Sequence, residues 1–307
     1  MITHFYKHTE DTPLETILEP RTGIWTHVVA PTEEEFAMLV DEYGLEEAII
    51  EDIKDFFEVP RFEQEGIISY FFARYPYDVA NLDIDTAPIL IVLGDTFLIT
   101  IAEQEVPFLN SFVEGKRTFQ TTQKTELFLE FLSALINSYD KKLTHIRKMV
   151  YRDMGRVRSM RGRDVQRLVF IEQELNEMLS ALMPTNAWIQ QLTKGNYIRM
   201  FSDDRELLED LRIDCNQLID SAQSILKTIQ NIRTASETMI TQNLNKTIRT
   251  LTVATIVLTI PTLVSSLFGM NVQLPLQNYP NAFWVIITLI LGIASVTAYF
   301  FSRNRFM

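Results

Sequence analysis

The chain has 307 residues, 47% of them apolar and 22% charged, with a formal net charge of -12 at pH 7. That acidic balance argues against nucleic acid, whose binders carry basic stripes that neutralise phosphates, and the lone Cys215 excludes an internal disulfide and disfavours a thiolate zinc cluster. The apolar excess is uneven: no Asp, Glu, Lys or Arg stands between Arg249 and Arg303, which divides a soluble part from a membrane part.

From the N-terminus, Met1 to Pro20 contains His4, Lys7, Glu10, Asp11 and Glu15 without an apolar run, so no signal peptide is expected and membrane delivery falls to the C-terminal segments. Apolar, β-rich runs at Ile24 to Val29, Ile67 to Ala73, Ile89 to Leu93 and Phe97 to Ile101 predict a sheet. Between them, Thr32 to Tyr43 opens with Thr-Glu-Glu-Glu after Pro31, the composition of a capped helix start. An α/β domain is expected over residues 1–120. Residues 121–202 follow as a helical hairpin, Lys124 to Arg156 and Gly162 to Thr193, broken near Ser159 to Gly162 and interrupted or kinked at Pro184.

At the start of the next segment, 203–268, carboxylates crowd: Asp203, Asp204 and Glu206, then Glu209, Asp210 and Asp214. Carboxylates close together repel one another and gain by sharing a divalent cation across a subunit boundary. They equally suit a solvated helix N-terminus favoured by the macrodipole. From Asp203 to Phe268 there is no Gly and no Pro before Pro261, so one helix of roughly 100 Å is expected at 1.5 Å per residue. A helix that long needs partners.

Along it runs a stripe at alternating four- and three-residue steps: Thr234, Thr238, Thr241, Asn245, Ile248, Thr252, Thr255, Thr259, Thr262 and Ser266. The spacing averages about 3.5 residues, the repeat that keeps one face on a bundle axis. Single hydroxyls in membrane helices bond to the backbone or glue helices together; a stripe that continues through the soluble stalk reads instead as the lining of a pore. One helix cannot surround a pore, so identical subunits in a ring are expected. Ile248 and its neighbour Leu251 also suit plain packing between adjacent helices.

Two uncharged runs, about Thr250 to Phe268 and Ala282 to Phe301, are each long enough to cross a bilayer core of about 30 Å. The joining residues 269–281 hold two Pro and three Asn, a turn composition. Lys246 and Arg249 precede the first run and Arg303 and Arg305 follow the second in the short tail 302–307, while the loop has no cation. Both termini are therefore expected in the cytoplasm and the loop outside, with Trp284 and Tyr279 near one membrane interface and Tyr299 near the other.

Immediately after the first run stands Phe268-Gly269-Met270-Asn271. Here the sequence resembles the CorA family of divalent-cation channels, whose signature is Gly-Met-Asn, usually after Tyr. The resemblance covers essentially the whole chain, including Val59-Pro60-Arg61-Phe62-Glu63, similar to the family's Arg-Pro-Lys-Val-Glu region. It implies an α+β membrane protein: a cytoplasmic α/β domain with long helices, a very long stalk and pore helix, and a C-terminal two-helix transmembrane hairpin, assembled as a funnel-shaped homopentamer in the cell membrane. It implies passive Mg2+ transport, with Co2+ or Ni2+ as surrogates. Gly269, Met270 and Asn271 would form the filter; without the resemblance, Asn271 also reads as a helix C-cap. Asn245 would form an inner polar ring, and Ile248 with Leu251 a hydrophobic constriction. Intracellular Mg2+ held by candidates among Asp203, Asp204, Asp210 and Asp214 would favour the closed ring. A zinc-moving branch carries Val or Ile where this chain has Met270. The sequence departs from the family in Phe268 for Tyr, in a loop without a carboxylate, and in a stripe without one.

No Gly-x-x-x-x-Gly-Lys-Ser/Thr loop occurs, so no nucleotide partner is expected and transport should be passive. His4, His8, His27 and His145 lack the spacing of a metallohydrolase, so no enzyme is expected. The rival outside transport is a membrane-anchored coiled-coil scaffold.

Overall fold

The computed structural model describes residues 1–78, 84–155, 160, 162–272, 275 and 280–303. It divides into two compact units, Met1–Asn231 and Ile232–Met307. The first is built on a sheet of β1 (Ile2–Tyr6), β2 (Glu15–Ile17), β3 (Ile24–Val29), β4 (Arg61–Glu65), β5 (Ile68–Asp78), β6 (Ile84–Leu93) and β7 (Phe97–Ala102). The order is β2-β1-β3-β7-β6-β5-β4. Neighbours are antiparallel except β3 and β7, which pair in parallel with Trp25 opposite Leu98 and Val28 opposite Ile101.

All four expected strands are present, with β5 continuing to Asp78 and β6 beginning at Ile84. The runs are apolar without alternation because helices cover both faces. On one face α1 (Glu33–Tyr43) and α2 (Glu47–Glu51) close over Ile24, Val28, Leu90, Val92, Ile99 and Ile101. After the short α3 (Asn110–Val113), the other face is covered by α4 (Lys124–Met154) and α5 (Gly162–Lys194). There Phe71 of β5 lies 4.4 Å from Phe128 and 5.4 Å from Trp188, ring centre to ring centre, and Trp25 lies 4.9 Å from Phe131. β1, β2 and β4 carry too many polar residues to be read from the sequence. β2 and β4 are the two edges, where charged side chains discourage pairing with another chain.

The cap of α1 forms as its sequence requires. Thr32 Oγ1 accepts from the Glu35 amide at 3.2 Å, the Thr32 amide donates to Glu35 Oε2 at 2.9 Å, and Gly44 ends the helix at φ 66°. The expectation at Pro184 is corrected in one respect: α5 passes through it without interruption. Proline removes one backbone donor, but Ala181, Leu182, Thr185 and Trp188 around it are buried, and that packing outweighs the lost bond. The expected break near Ser159 to Gly162 lies largely outside the described residues.

α6 (Ser202–Phe268) is one continuous helix of 67 residues that starts in the first unit, ends in the second and includes Pro261. α7 (Ala282–Arg303) completes the second unit. Both contain runs long and apolar enough to cross a membrane. Within those runs Val253 and Ile290 are buried, and nearly every other described side chain is at least partly exposed.

Candidate ion pathway

The stripe on α6 is built from threonines whose hydroxyls bond to their own helix. Thr252 donates to the Ile248 carbonyl at 2.9 Å, Thr255 to Leu251 at 2.9 Å, Thr259 to Thr255 at 2.8 Å and Thr262 to Leu258 at 3.0 Å. Further from the apolar run, Thr238 and Thr241 do the same at 2.8 and 2.9 Å. With the proton committed to the backbone, each oxygen keeps lone pairs and presents an acceptor, which suits a cation or its water shell. Thr250 and Thr288, outside the stripe, make the same bond. The bond therefore explains how α6 tolerates hydroxyls in an apolar run, and the register of the stripe is what singles out one face.

Asn245 is exposed on the same helix, and Ile248 and Leu251 are 51% and 66% exposed. Ser266 is exposed in the last helical turn. Beyond it the Gly269 amide donates to the Ser265 carbonyl at 3.0 Å and to Ser266 at 3.3 Å, and the Met270 amide reaches Leu267 at 3.4 Å. Gly269 does not adopt the left-handed conformation that many terminal glycines use. Its need for glycine is one of space: a Cβ there would stand 3.3 Å from the Ser265 carbonyl oxygen. Met270 is 53% exposed. Asn271 is exposed, and its carboxamide makes no hydrogen bond among the described residues, so it does not cap α6.

At the other end of α6, Asp203 accepts from the Ser202 hydroxyl at 3.0 Å and Asp204 from the Phe201 amide at 2.8 Å, both within the first turn. Glu209 pairs with Arg212 at 2.6 Å, and that hydrogen bond holds its carboxyl below the usual range. Asp210 and Asp214 are exposed one turn apart on one face. Among the described residues of a single chain, no three His, Cys, Asp or Glu side chains converge as a metal site. Trp284 and Tyr299 are exposed fifteen residues apart on α7, roughly 22 Å along the helix. Tyr279 and Arg305 lie outside the described residues.

One residue acquires a role that its sequence does not announce. Arg61 pairs with Asp52, Glu58 and Glu63, and its guanidinium sits 4.0 Å from the centre of the Phe72 ring. It ties the α2 end, the following turn and β4 together. Six carboxylates stand within eleven residues of this arginine, and spacing alone does not choose the three that pair with it.

A soluble α/β unit, a helix that carries a hydroxyl stripe into an apolar run, and a second apolar helix together define a membrane protein of two candidate spans with a large soluble domain. The family described as CorA-like Mg2+ transporter protein matches residues 21–303, and the chain belongs to that family. Its members are transport proteins, not enzymes. Among curated relatives, the cobalt/magnesium transport protein CorA of Methanocaldococcus jannaschii is 23% identical over 289 residues, covering 92% of this chain and 90% of that protein. The complete structure of the CorA magnesium transporter from the same organism superposes with a TM-score of 0.87 at 19% identity, covering 100% of this chain and 99% of the other. The full-length CmaX protein superposes at 0.79 with 19% identity, covering 99% and 97%. The agreement in fold extends through both apolar helices.

Proposed function

We propose that this chain forms, as a ring of identical subunits in the cell membrane, a passive channel for Mg2+, with Co2+ as a second permeant ion. The observation that carries the reading is the polar stripe of α6, held at one register from Thr234 to Ser266 and leading to Asn271, whose carboxamide makes no hydrogen bond among the described residues. Five subunits, the number the family resemblance implies, would place five such stripes around one axis.

Mg2+ is small, prefers octahedral oxygen coordination and dehydrates reluctantly, so a filter for the hydrated ion needs neutral oxygens that bond to its water shell. A ring of Asn271 side chains supplies carboxamide oxygens, Gly269 permits close approach, and Met270 packs behind. Thr252, Thr255, Thr259, Thr262 and Ser266 would then line a path of hydroxyl acceptors down to Ile248 and Leu251, a constriction that closes by dewetting, with Asn245 as a polar ring below it. Lys246, Arg249 and Arg303 flank the spans and favour both chain ends in the cytoplasm. Exposed and in no metal cluster among the described residues, Asp210 and Asp214, with Asp203 and Asp204, would become ligands for regulatory Mg2+ only where a neighbouring subunit completes the set. Met270 and the cobalt/magnesium relative favour this ion pair over zinc.

The test is Mg2+ uptake into proteoliposomes under an inside-negative potential, native chain against Asn271→Ala. Uptake that falls at least ~10-fold in the variant, with the oligomer intact on gel filtration, is expected. No uptake of Mg2+ or Co2+ by the native chain would favour a scaffold.

A further inference from the structure

Charge is divided between two faces of the first unit. Residues 33–58, which span α1, α2 and the turn that follows, hold eleven Asp and Glu against Lys54 alone. Residues 141–167, where α4 ends and α5 begins, hold ten Lys and Arg against Asp153 and Asp164, seven of the ten within the described residues. Much of this charge is not neutralised inside the chain. Lys54 and Arg61 pair with Glu33, Glu51, Asp52 and Glu58, Lys142 pairs with Asp78, and Arg167 pairs with Asp153. Among the described residues, exposed Lys141, Lys148, Arg152 and Arg163 pair with no carboxylate, and exposed Asp41, Glu46 and Glu47 pair with no cation.

Each face also exposes large apolar side chains. Beside the acidic block, Phe57 and Val59 are 79% and 57% exposed; in the basic block, Tyr151, Met154, Val169 and Phe170 are 48–55% or, for Val169, 46% exposed. Exposed apolar groups rimmed by charge mark an interaction surface. The acidic one is preformed. Arg61 gathers Asp52, Glu58 and Glu63 over the Phe72 ring, and buried Arg74 donates to the Phe56 and Glu58 carbonyls at 2.7 and 3.1 Å. The Phe57 amide donates to Asp55 at 2.9 Å. These bonds hold Phe57 outward before any partner arrives, which lowers the cost of ordering it on binding.

The two surfaces cannot meet within one chain, because α1 and α2 cover one face of the sheet and α4 and α5 the other. Either surface turned on itself by a two-fold axis would set like charges together, which is unfavourable. Complementary surfaces on opposite sides of one body instead make a head-to-tail contact between copies, and such contacts generate a ring where the rotation closes. We propose that the acidic face of α1 and α2, with Phe57 and Val59 as apolar anchors, docks on the basic end of the α4–α5 pair of a second copy of this chain, around Tyr151 and Phe170. This inference rests on the ring of identical subunits proposed above and deepens it, by assigning a contact in the soluble unit that joins each subunit to the next.

Carbodiimide coupling of the full chain in detergent tests this, since it joins an amine to a carboxylate only where the two touch. A denaturing gel is expected to show dimers and larger species. Peptides from the dimer band should carry Lys141 or Lys148 joined to a carboxylate between Glu33 and Glu58, a link that the intervening sheet forbids within one chain. About 1 M NaCl, where the screening length is about 3 Å, should lower the yield at least ~3-fold. Arg152→Glu leaves both lysines in place and should lower the yield ~5-fold by setting like charges together. Phe57→Ser should lower it by a similar factor through loss of an anchor. Both residues are exposed in the single chain, so neither variant should lower the unfolding temperature. An intact oligomer on gel filtration whose links avoid either face, or native yield in both variants, would overturn this contact alone. A chain that runs as a monomer would overturn the ring with it.

Discussion

The two units of this chain satisfy their side chains in opposite ways. In Met1–Asn231 a sheet sandwiched between helices buries Trp25, Phe71, Phe72, Leu98 and Phe128 to 1% exposure or less. In Ile232–Met307 the apolar side chains of α6 and α7 remain largely exposed, and threonine hydroxyls bond to their own helix. A unit closed on itself is stabilised within one chain; one whose apolar side chains stay exposed derives its stability from what surrounds it, which on the proposed reading is lipid and identical neighbours.

The largest effect that sharpens this contrast is a core truncation. Phe71→Ala removes a ring packed on Phe62, Phe128 and Trp188 and should cost about 3–5 kcal/mol of the soluble unit's stability, seen as a lower denaturation midpoint by far-ultraviolet dichroism. The same truncation at exposed Leu258 in the apolar run of α6 should leave that midpoint unmoved. If both variants unfold alike, the units are not energetically distinct.

A pH titration separates them next. Burial holds His27 down to about 4 from an ordinary 6.5, with its Nδ1 at 2.8 Å from Thr100 Oγ1. Its folded pKa is depressed, so the unfolded chain binds more protons between those values. Its contribution is therefore fully present above pH 6.5 and is lost as pH falls toward about 4, with a slope of at most about 1.4 kcal/mol per pH unit. His27→Gln should flatten that part of the stability profile; an unchanged slope would assign the acid sensitivity to other groups. The smallest effect is at the α1 cap, where Thr32→Ala should cost about 1 kcal/mol in the soluble unit and leave Mg2+ flux per folded oligomer unchanged.

The same contrast explains what the sequence makes legible. The capping box at Thr32 and Glu35, the apolar strands and both spans rest on local patterns, and these need only neighbouring residues to act. β4, with the sequence Arg-Phe-Glu-Gln-Glu, is a strand because β5 offers it an edge, and Arg61 gathers three carboxylates because the turn brings them together. α5 survives Pro184 through packing that no local rule contains. The stripe on α6 is a periodicity and so is readable, whereas the surroundings of Asn271 in the proposed ring would depend on copies of the chain that the sequence of one subunit does not arrange.

The most direct measurement is thiol accessibility along α6 during transport. Cys215 is buried and its thiol is pushed up to about 12 by that burial, so the native chain offers a nearly silent background. Cysteine is introduced singly at Thr255, on the stripe, and at Val257, about 200° around the helix at 100° per residue. A charged, membrane-impermeant methanethiosulfonate is then applied to proteoliposomes while Mg2+ flux is followed. A water-filled pore lined by the stripe predicts rapid modification and loss of flux for Thr255→Cys and neither for Val257→Cys. Equal modification at both positions, or modification of Val257→Cys alone, would contradict it.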